Sequence, residues 1–187
     1  MGSSSAFLGS VFPRLTLTFS SAEIDELEAA SETLHGLCLE AVEYVIANKQ
    51  WERMRIPPAW GEYIERTWRR TDPTLCGRFD LAYDGKDPPK LLEYNADTPT
   101  ALYEAAVVQW YWLKDAKPQA DQFNSIHDKL IEAWRGILRR LPPEGLVHFA
   151  RFEDHPEDLA TSEYLRDTAL QAGLAGKPIA VTDIGSN

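Results

Sequence analysis

Four polar side chains, Arg78, Asp80, Glu93 and Asn95, have the types and spacing of a group that acts together. They alternate along two short segments, which are separated by turn-forming residues at 84–89, DGKDPP. Closing that turn symmetrically pairs Arg78 with Asn95 and Asp80 with Glu93. Because successive side chains of a strand point to opposite faces, all four would lie on one face of a β-hairpin.

Two interpretations of this polar face remain open. Asp80 and Glu93 would repel one another across the strands, at a cost of up to about 1 kcal/mol, unless a positive charge lies beside them. Mg²⁺ takes oxygen ligands and is commonly held by one or two carboxylates plus substrate phosphates, and the guanidinium fork of Arg78 also suits phosphate. Alternatively, Arg78 neutralises both acids in a solvated ion-pair network that binds no ligand.

The hairpin that positions these residues is predicted from strands at about 77–83 and 90–95. Its second face would be apolar and would contact the core. That face comprises Phe79, Leu81, Tyr83, Leu92 and Tyr94.

Two helices are predicted before the hairpin. Ser20 and Glu23 form a capping-box pattern at the start of an amphipathic helix over about 22–48. The prolines at 57 and 58 would open a second helix, in which Trp60, Ile64 and Trp68 face inward.

Downstream of the hairpin, helices are predicted over about 99–114 and 119–141. The cluster of Trp110, Tyr111 and Trp112 in the first of these favours helix core over a stacking platform. A strand at 146–152, a helix at 156–172 and a strand at 178–183 follow. This order is typical of a βαβ unit with parallel strands and a right-handed crossover, so the fold class is α/β.

Three segments of the sequence resemble the amino-terminal region of the glutathionylspermidine synthase family, in particular its acid–amine ligase members of the ATP-grasp superfamily. They are GRFDLAYDG, PKLLEYNADTPTALYEA and VVQWYWLKD, and the similarity extends over about residues 15–184. The resemblance implies that Arg78 stabilises the transition state and contacts ATP together with Phe79 and Asp80. It also implies that Asp80, Glu93 and Asn95 hold Mg²⁺.

The segment after the hairpin is implicated in substrate binding by the same resemblance. Thr98 aligns with a residue that contacts the peptide substrate, and Thr100 is a weaker candidate. Helix capping alone is the alternative role for both, because Asp97-Thr98-Pro99-Thr100 is also a helix-start pattern.

The family implies an ATP-dependent ligase that joins a glutathione-like acid or peptide to a polyamine-like amine through an acyl phosphate. We expect a flexible tail at 1–14 and a pre-ATP-grasp domain at 15–187, with the ATP-grasp lobes absent and little ligase activity from this chain alone. The alternative is a non-catalytic domain that binds a partner, such as the missing lobes or a second copy.

Composition excludes several other classes. The 187 residues carry a formal net charge of -10, which argues against a surface for nucleic acid or anionic membrane. No P-loop or dinucleotide-binding glycine motif occurs. No stretch of apolar residues approaches the length of about 20 that a membrane-spanning helix needs. Cys38 and Cys76 stand outside any metal-binding spacing, and the start is a poor signal peptide, so we expect reduced thiols and a cytoplasmic protein.

Overall fold

A computed structural model describes residues 16–96, 100–142 and 144–185, and it confirms the α/β class. The predicted tail at 1–14 lies outside the described residues. The elements in chain order are α1 Ser21–Ala47, α2 Pro58–Arg69, β1 Arg78–Ala82, β2 Lys90–Asn95, α3 Gln109–Ala116, α4 Ile126–Leu138, β3 Val147–Arg151, α5 Pro156–Gln171 and β4 Gly176–Ala180. A π-helical turn, Glu104–Val108, precedes α3, and a 3₁₀ turn, Val181–Asp183, follows β4.

The start of α1 follows from its capping box. The Ser20 hydroxyl accepts a hydrogen bond from the Glu23 backbone N–H at 3.3 Å, and the Glu23 carboxylate accepts one from the Ser20 N–H at 2.7 Å. These two bonds satisfy amide groups that have no partner within the helix. The predicted helix is therefore confirmed at its first turn.

The second helix, α2, begins at Pro58 as predicted, because a proline in the first turn needs no hydrogen bond from its nitrogen. It is joined to α1 by Glu43, whose carboxylate accepts from the Trp68 indole and from the Arg69 guanidinium. The inward position predicted for Trp60 is wrong: this side chain is 57 % exposed. It packs edge-on against the ring of Tyr63.

Strands β1 and β2 form an antiparallel hairpin whose register matches the prediction from Arg78–Asn95 to Asp80–Glu93. Beyond that point a β-bulge shifts the register, so that Leu81 lies opposite Leu91. The bulge leaves Leu92 without a cross-strand partner, and its side chain is 69 % exposed rather than in the core as predicted.

The predicted βαβ unit is confirmed, since β3 and β4 pair in parallel and α5 connects them along the chain. Its core is also the main apolar cluster among the described residues. The buried members are Trp134 from α4, Phe149 from β3, and Ala169, Ala172 and Leu174 from the end of α5 and the turn after it. No helix in the described ranges is long and apolar enough to cross a membrane.

The helices between the two sheets differ from the prediction. The predicted start at residue 99 lies outside the described residues. Ala101 has a φ of 65°, a left-handed conformation that cannot continue an α-helix, so the predicted helix does not include this residue. The next helix begins at Ile126 instead of about 119. The core position predicted for the aromatic cluster is also wrong, because Trp110, Tyr111 and Trp112 are 41 %, 63 % and 46 % exposed.

Candidate functional site

The polar face of the hairpin contains the four residues that the sequence selected. Arg78 lies opposite Asn95 and Asp80 lies opposite Glu93, so the cross-strand pairing brings them together. The other face carries Phe79 stacked on Tyr94, with 4.1 Å between the ring centroids. The Phe79 side chain thus lies on the face opposite the polar group.

Arg78 is held from two directions. Its Nε and Nη2 donate to the Asp80 carboxylate at 2.8 and 3.4 Å. Its Nη1 donates to both the backbone carbonyl and the hydroxyl of Thr100, each at 3.0 Å. A guanidinium has five N–H donors. Within the described residues, these contacts leave one Nη2 hydrogen for an oxygen of a ligand.

The charges of Arg78 and Asp80 stabilise one another. The guanidinium hydrogen bonds hold the pKa of the Asp80 carboxyl below its usual value, and the same bonds raise the pKa of Arg78, with Glu93 adding a smaller effect. Both side chains remain more than a third exposed, so the pair is open to solvent. Arg78 and Asp80 therefore form a solvent-accessible ion pair.

Glu93 and Asn95 are not accounted for by that ion pair. Glu93 is exposed, and none of the ion pairs among the described residues includes it. The Asn95 side-chain nitrogen is buried and has no hydrogen-bond partner in the described part of the chain. A buried polar atom without a partner costs about 1–3 kcal/mol, so a ligand that paired with it would be favoured.

The donor set fits Mg²⁺ with phosphate. It offers two carboxylates and one amide. In the present orientation the buried Asn95 Nδ2 could donate to a phosphate oxygen, and a half-turn of the amide would place Oδ1, a metal ligand, there instead. In the described ranges, no three His, Cys, Asp or Glu side chains form a metal-binding group. The proposed set contains only two side chains of those types, Asp80 and Glu93, together with Asn95. The remaining positions around Mg²⁺ are usually filled by water and substrate oxygens.

Of the two predicted substrate residues, Thr98 lies outside the described residues. Thr100 is exposed and lies against the polar face, where both of its oxygens accept from Arg78. The π-helical turn that follows has Tyr103 at its N-cap and no side-chain cap hydrogen bond. The contact of Thr100 with Arg78 was not predicted.

The sequence matches a known family model over residues 13–187, and the family is described as glutathionylspermidine synthase preATP-grasp. The chain belongs to this family. The earlier resemblance is thereby confirmed.

Curated relatives of this glutathionylspermidine synthase-family chain are named as a ligase, a synthetase and a synthase. It is 40 % identical over 172 residues to a Haemophilus influenzae protein named "Putative acid–amine ligase", with 90 % of this chain and 43 % of the relative covered. Identity to trypanothione synthetase of Crithidia fasciculata is 29 % over 150 residues, covering 77 % and 22 %. Identity to glutathionylspermidine synthase of the same organism is 27 % over 164 residues, covering 81 % and 22 %.

The chain spans less than half the length of these curated relatives. Their names describe whole proteins, of which this chain matches only a part. The family membership and the α/β fold apply to the chain itself.

A second feature of this glutathionylspermidine synthase-family domain is a cavity of about 180 Å³ that sequence reasoning missed. It lies at the carboxyl ends of the parallel strands β3 and β4. The lining includes charges of both signs, and its residues are Arg151, Phe152, Glu153, Asp154, His155, Ala180, Val181 and Thr182. The predicted βαβ unit already placed the carboxyl ends of both strands at one edge of the sheet, where this cavity lies.

Proposed function

We propose that this chain is the amino-terminal, pre-ATP-grasp part of an ATP-dependent acid–amine ligase, with the domain extending over residues 15–187. The complete ligase would activate a carboxylate of a glutathione-like acid as an acyl phosphate, and a polyamine-like amine would then attack to form an amide. Family membership supports the ligase class. The cross-strand pairing of Arg78 with Asn95 and Asp80 with Glu93 carries the assignment of the site.

Each side chain of the polar face would contribute a separate interaction. Asp80, Glu93 and Asn95 would hold Mg²⁺, which neutralises phosphate charge and so lowers the barrier to phosphoryl transfer. The remaining Nη2 hydrogen of Arg78 would donate to a phosphoryl oxygen of ATP, with Asp80 and the backbone of Phe79 beside it. Both Asp80 oxygens still have lone pairs, since a carboxylate can accept about four hydrogen bonds.

The segment that follows the hairpin would bind the acid substrate. Thr98 and Thr100 are the proposed contacts. The hydroxyl of Thr100 accepts from Arg78, and it therefore retains its own hydrogen to donate to a substrate carboxylate. The acid would then lie beside the guanidinium that contacts ATP.

Cellular location is a separate part of the proposal. Cys38 and Cys76 are both thiols and not a disulfide. This supports a cytoplasmic ligase, because cytosolic proteins keep their cysteines reduced.

Calorimetric titration with Mg²⁺ and ATP tests the site in the chain as it exists. The wild type should bind ATP only when Mg²⁺ is present. Asp80→Asn removes one negative ligand, and we expect it to weaken Mg²⁺-dependent binding about tenfold or more.

Asp72→Asn is the matched control. Asp72 accepts from Nε and Nη2 of Arg70 two positions earlier, in the same arrangement as Asp80 with Arg78, but it lies outside the hairpin. We expect this variant to bind as the wild type does. Equal affinities of the wild type and Asp80→Asn, or no Mg²⁺-dependent binding by the wild type, would contradict the metal assignment.

The exposed aromatic cluster favours a second candidate function, a module that binds a protein partner. Trp110, Tyr111 and Trp112 follow one another on α3, so their rings cover about 200° of its circumference. Exposed apolar patches promote association. Light scattering of the wild type and of Tyr111→Ser discriminates between the candidates. Concentration-dependent association that the substitution abolishes would favour the partner-binding function. A wild-type monomer at high concentration would count against it.

A further inference from the structure

The strongest unexplained feature near the site is a polar contact at the π-helical turn Glu104–Val108. The carbonyl of Ala105 accepts two side-chain amides, from Asn124 at 2.7 Å and from Gln122 at 3.4 Å. Both donors belong to the segment before α4, where the sequence predicted a helix. Short π-helical turns are uncommon and occur frequently at functional sites.

Asn124 makes the contact from a position that is itself held. Its Nδ2 donates to Ala105, while its Oδ1 accepts from the backbone N–H of Ile126, the first residue of α4, at 3.1 Å. Both ends of the amide are therefore paired, and this fixes its orientation. The beginning of α4 is thus tied directly to the π turn.

The π turn in turn holds the residue beside Thr100. The Ala105 N–H donates to the Ala101 carbonyl at 3.0 Å. Ala101 has a φ of 65°, a conformation that costs about 1–2 kcal/mol for a residue with a Cβ and persists only where its surroundings impose it. The bond to Ala105 is one such constraint.

Thr100 connects this strained residue to the site. Its carbonyl and its hydroxyl both accept from Nη1 of Arg78. A carbonyl and a hydroxyl on one residue fix both the position and the plane of the guanidinium. A shift of Ala101 would move both acceptors together.

We propose that Asn124 is a positioning residue for Arg78, acting through Ala105, Ala101 and Thr100. It touches no substrate or nucleotide in this scheme. It keeps the π turn in place, and the turn keeps the Thr100 oxygens where they orient the guanidinium toward phosphate. The catalytic meaning of this inference rests on the proposed function, whereas the orientation of Arg78 can be measured without any ligand.

The discriminating variant is Asn124→Asp. It retains an oxygen that can accept from Ile126, so the start of α4 keeps its partner, but it replaces the amide donor to Ala105 with a second acceptor. Two acceptors facing one another repel. The variant should therefore release the π turn and preserve the helix.

The first measurement is hydrogen exchange of the Arg78 guanidinium, followed by ¹⁵N NMR on the full chain and assigned with Arg78→Lys. We expect exchange in Asn124→Asp to be about fivefold faster or more, because Arg78 loses well-placed acceptors. Asn48→Asp is the matched control, since Asn48 Nδ2 donates to the Tyr44 carbonyl at 2.8 Å at the far end of α1. It should leave Arg78 unchanged.

A second variant tests the last link if Asn124→Asp does not fold. Thr100→Val removes the hydroxyl acceptor and keeps the carbonyl, so Arg78 exchange should again accelerate, and Thr100→Ser should restore the wild-type rate. Unchanged Arg78 exchange in folded Asn124→Asp, or in Thr100→Val, would overturn the inference.

Titration with Mg²⁺ and ATP separates this inference from the proposed function. If both are correct, Asn124→Asp weakens Mg²⁺-dependent ATP binding, whereas Asn48→Asp does not. Faster Arg78 exchange with no ATP binding by the wild type would remove the proposed function and keep the positioning role. ATP binding by the wild type with unchanged Arg78 exchange in Asn124→Asp would remove the positioning role and keep the proposed function.

Discussion

The buried pair of Trp134 and Thr168 provides a quantitative test of the βαβ core. The Trp134 indole N–H donates to the Thr168 hydroxyl at 3.0 Å, and that hydroxyl donates to the Leu165 carbonyl at 2.9 Å. Thr168 is fully buried and Trp134 is 6 % exposed. Thr168→Val replaces the hydroxyl with a methyl group of similar size and leaves the indole N–H without an acceptor.

The expected loss follows from the burial of that N–H. An unsatisfied buried donor costs about 1–3 kcal/mol, and no cavity term adds to it because the side-chain volume hardly changes. For a domain of this size, the loss corresponds to a fall in Tm of about 2–12 °C. Urea unfolding followed by tryptophan fluorescence and far-UV circular dichroism would give the free energy of unfolding and show whether the m-value is unchanged.

Two further variants make the test specific. Thr33→Val is the matched control, because the Thr33 hydroxyl also donates to a helix carbonyl, that of Ala29, at 2.9 Å, but it is exposed and accepts from no indole. We expect a change within about 0.5 kcal/mol. In Thr168→Val, adding Trp134→Phe removes the unpaired N–H, so the double variant should lose less stability than the sum of the single variants. Equal losses in Thr168→Val and Thr33→Val, or strict additivity, would refute the reasoning.

Two other predictions concern close contacts and titration. Gly176→Ala should destabilise the protein by about 1–3 kcal/mol, because the added Cβ would lie 2.6 Å from the Phe149 ring in the core. Gly36→Ala in α1 meets no atom within 4 Å and should raise Tm. Thermal unfolding that ranked the two variants otherwise would contradict this. The hydrogen bond to Glu26 raises the pKa of Tyr83 to about 12. The bond therefore stabilises the folded state fully below pH 10, and this stabilisation is lost as the pH rises through about 12. Ultraviolet titration of Glu26→Gln should show this phenol ionising closer to 10, and an unchanged titration would exclude the carboxylate as the cause.

The sequence predicted the hairpin well near the site and poorly near its turn. Alternation and turn residues were sufficient to pair Asp80 with Glu93, since a register error of one residue would have exposed the apolar face. They contained no signal for the bulge that leaves Leu92 without a cross-strand partner, because a bulge depends on how the two strands twist against neighbouring structure.

The exposed aromatic residues show the limit of composition as a guide to burial. Trp110, Tyr111 and Trp112 were expected in the core because aromatic side chains usually are, yet only Leu113 is buried in that helix. Burial depends on which other elements pack against a helix. Helical periodicity cannot supply that information.

The sequence by itself determined the α/β class, the family and the four polar residues of one hairpin face, because these depend on local periodicity, turn residues and long matching segments. Only the tertiary structure decided how Arg78 is oriented. Its acceptors on Thr100, the strained Ala101 and the amide of Asn124 belong to separate stretches of chain. Contacts between residues distant in sequence leave no local pattern, so folding alone brings them to the site.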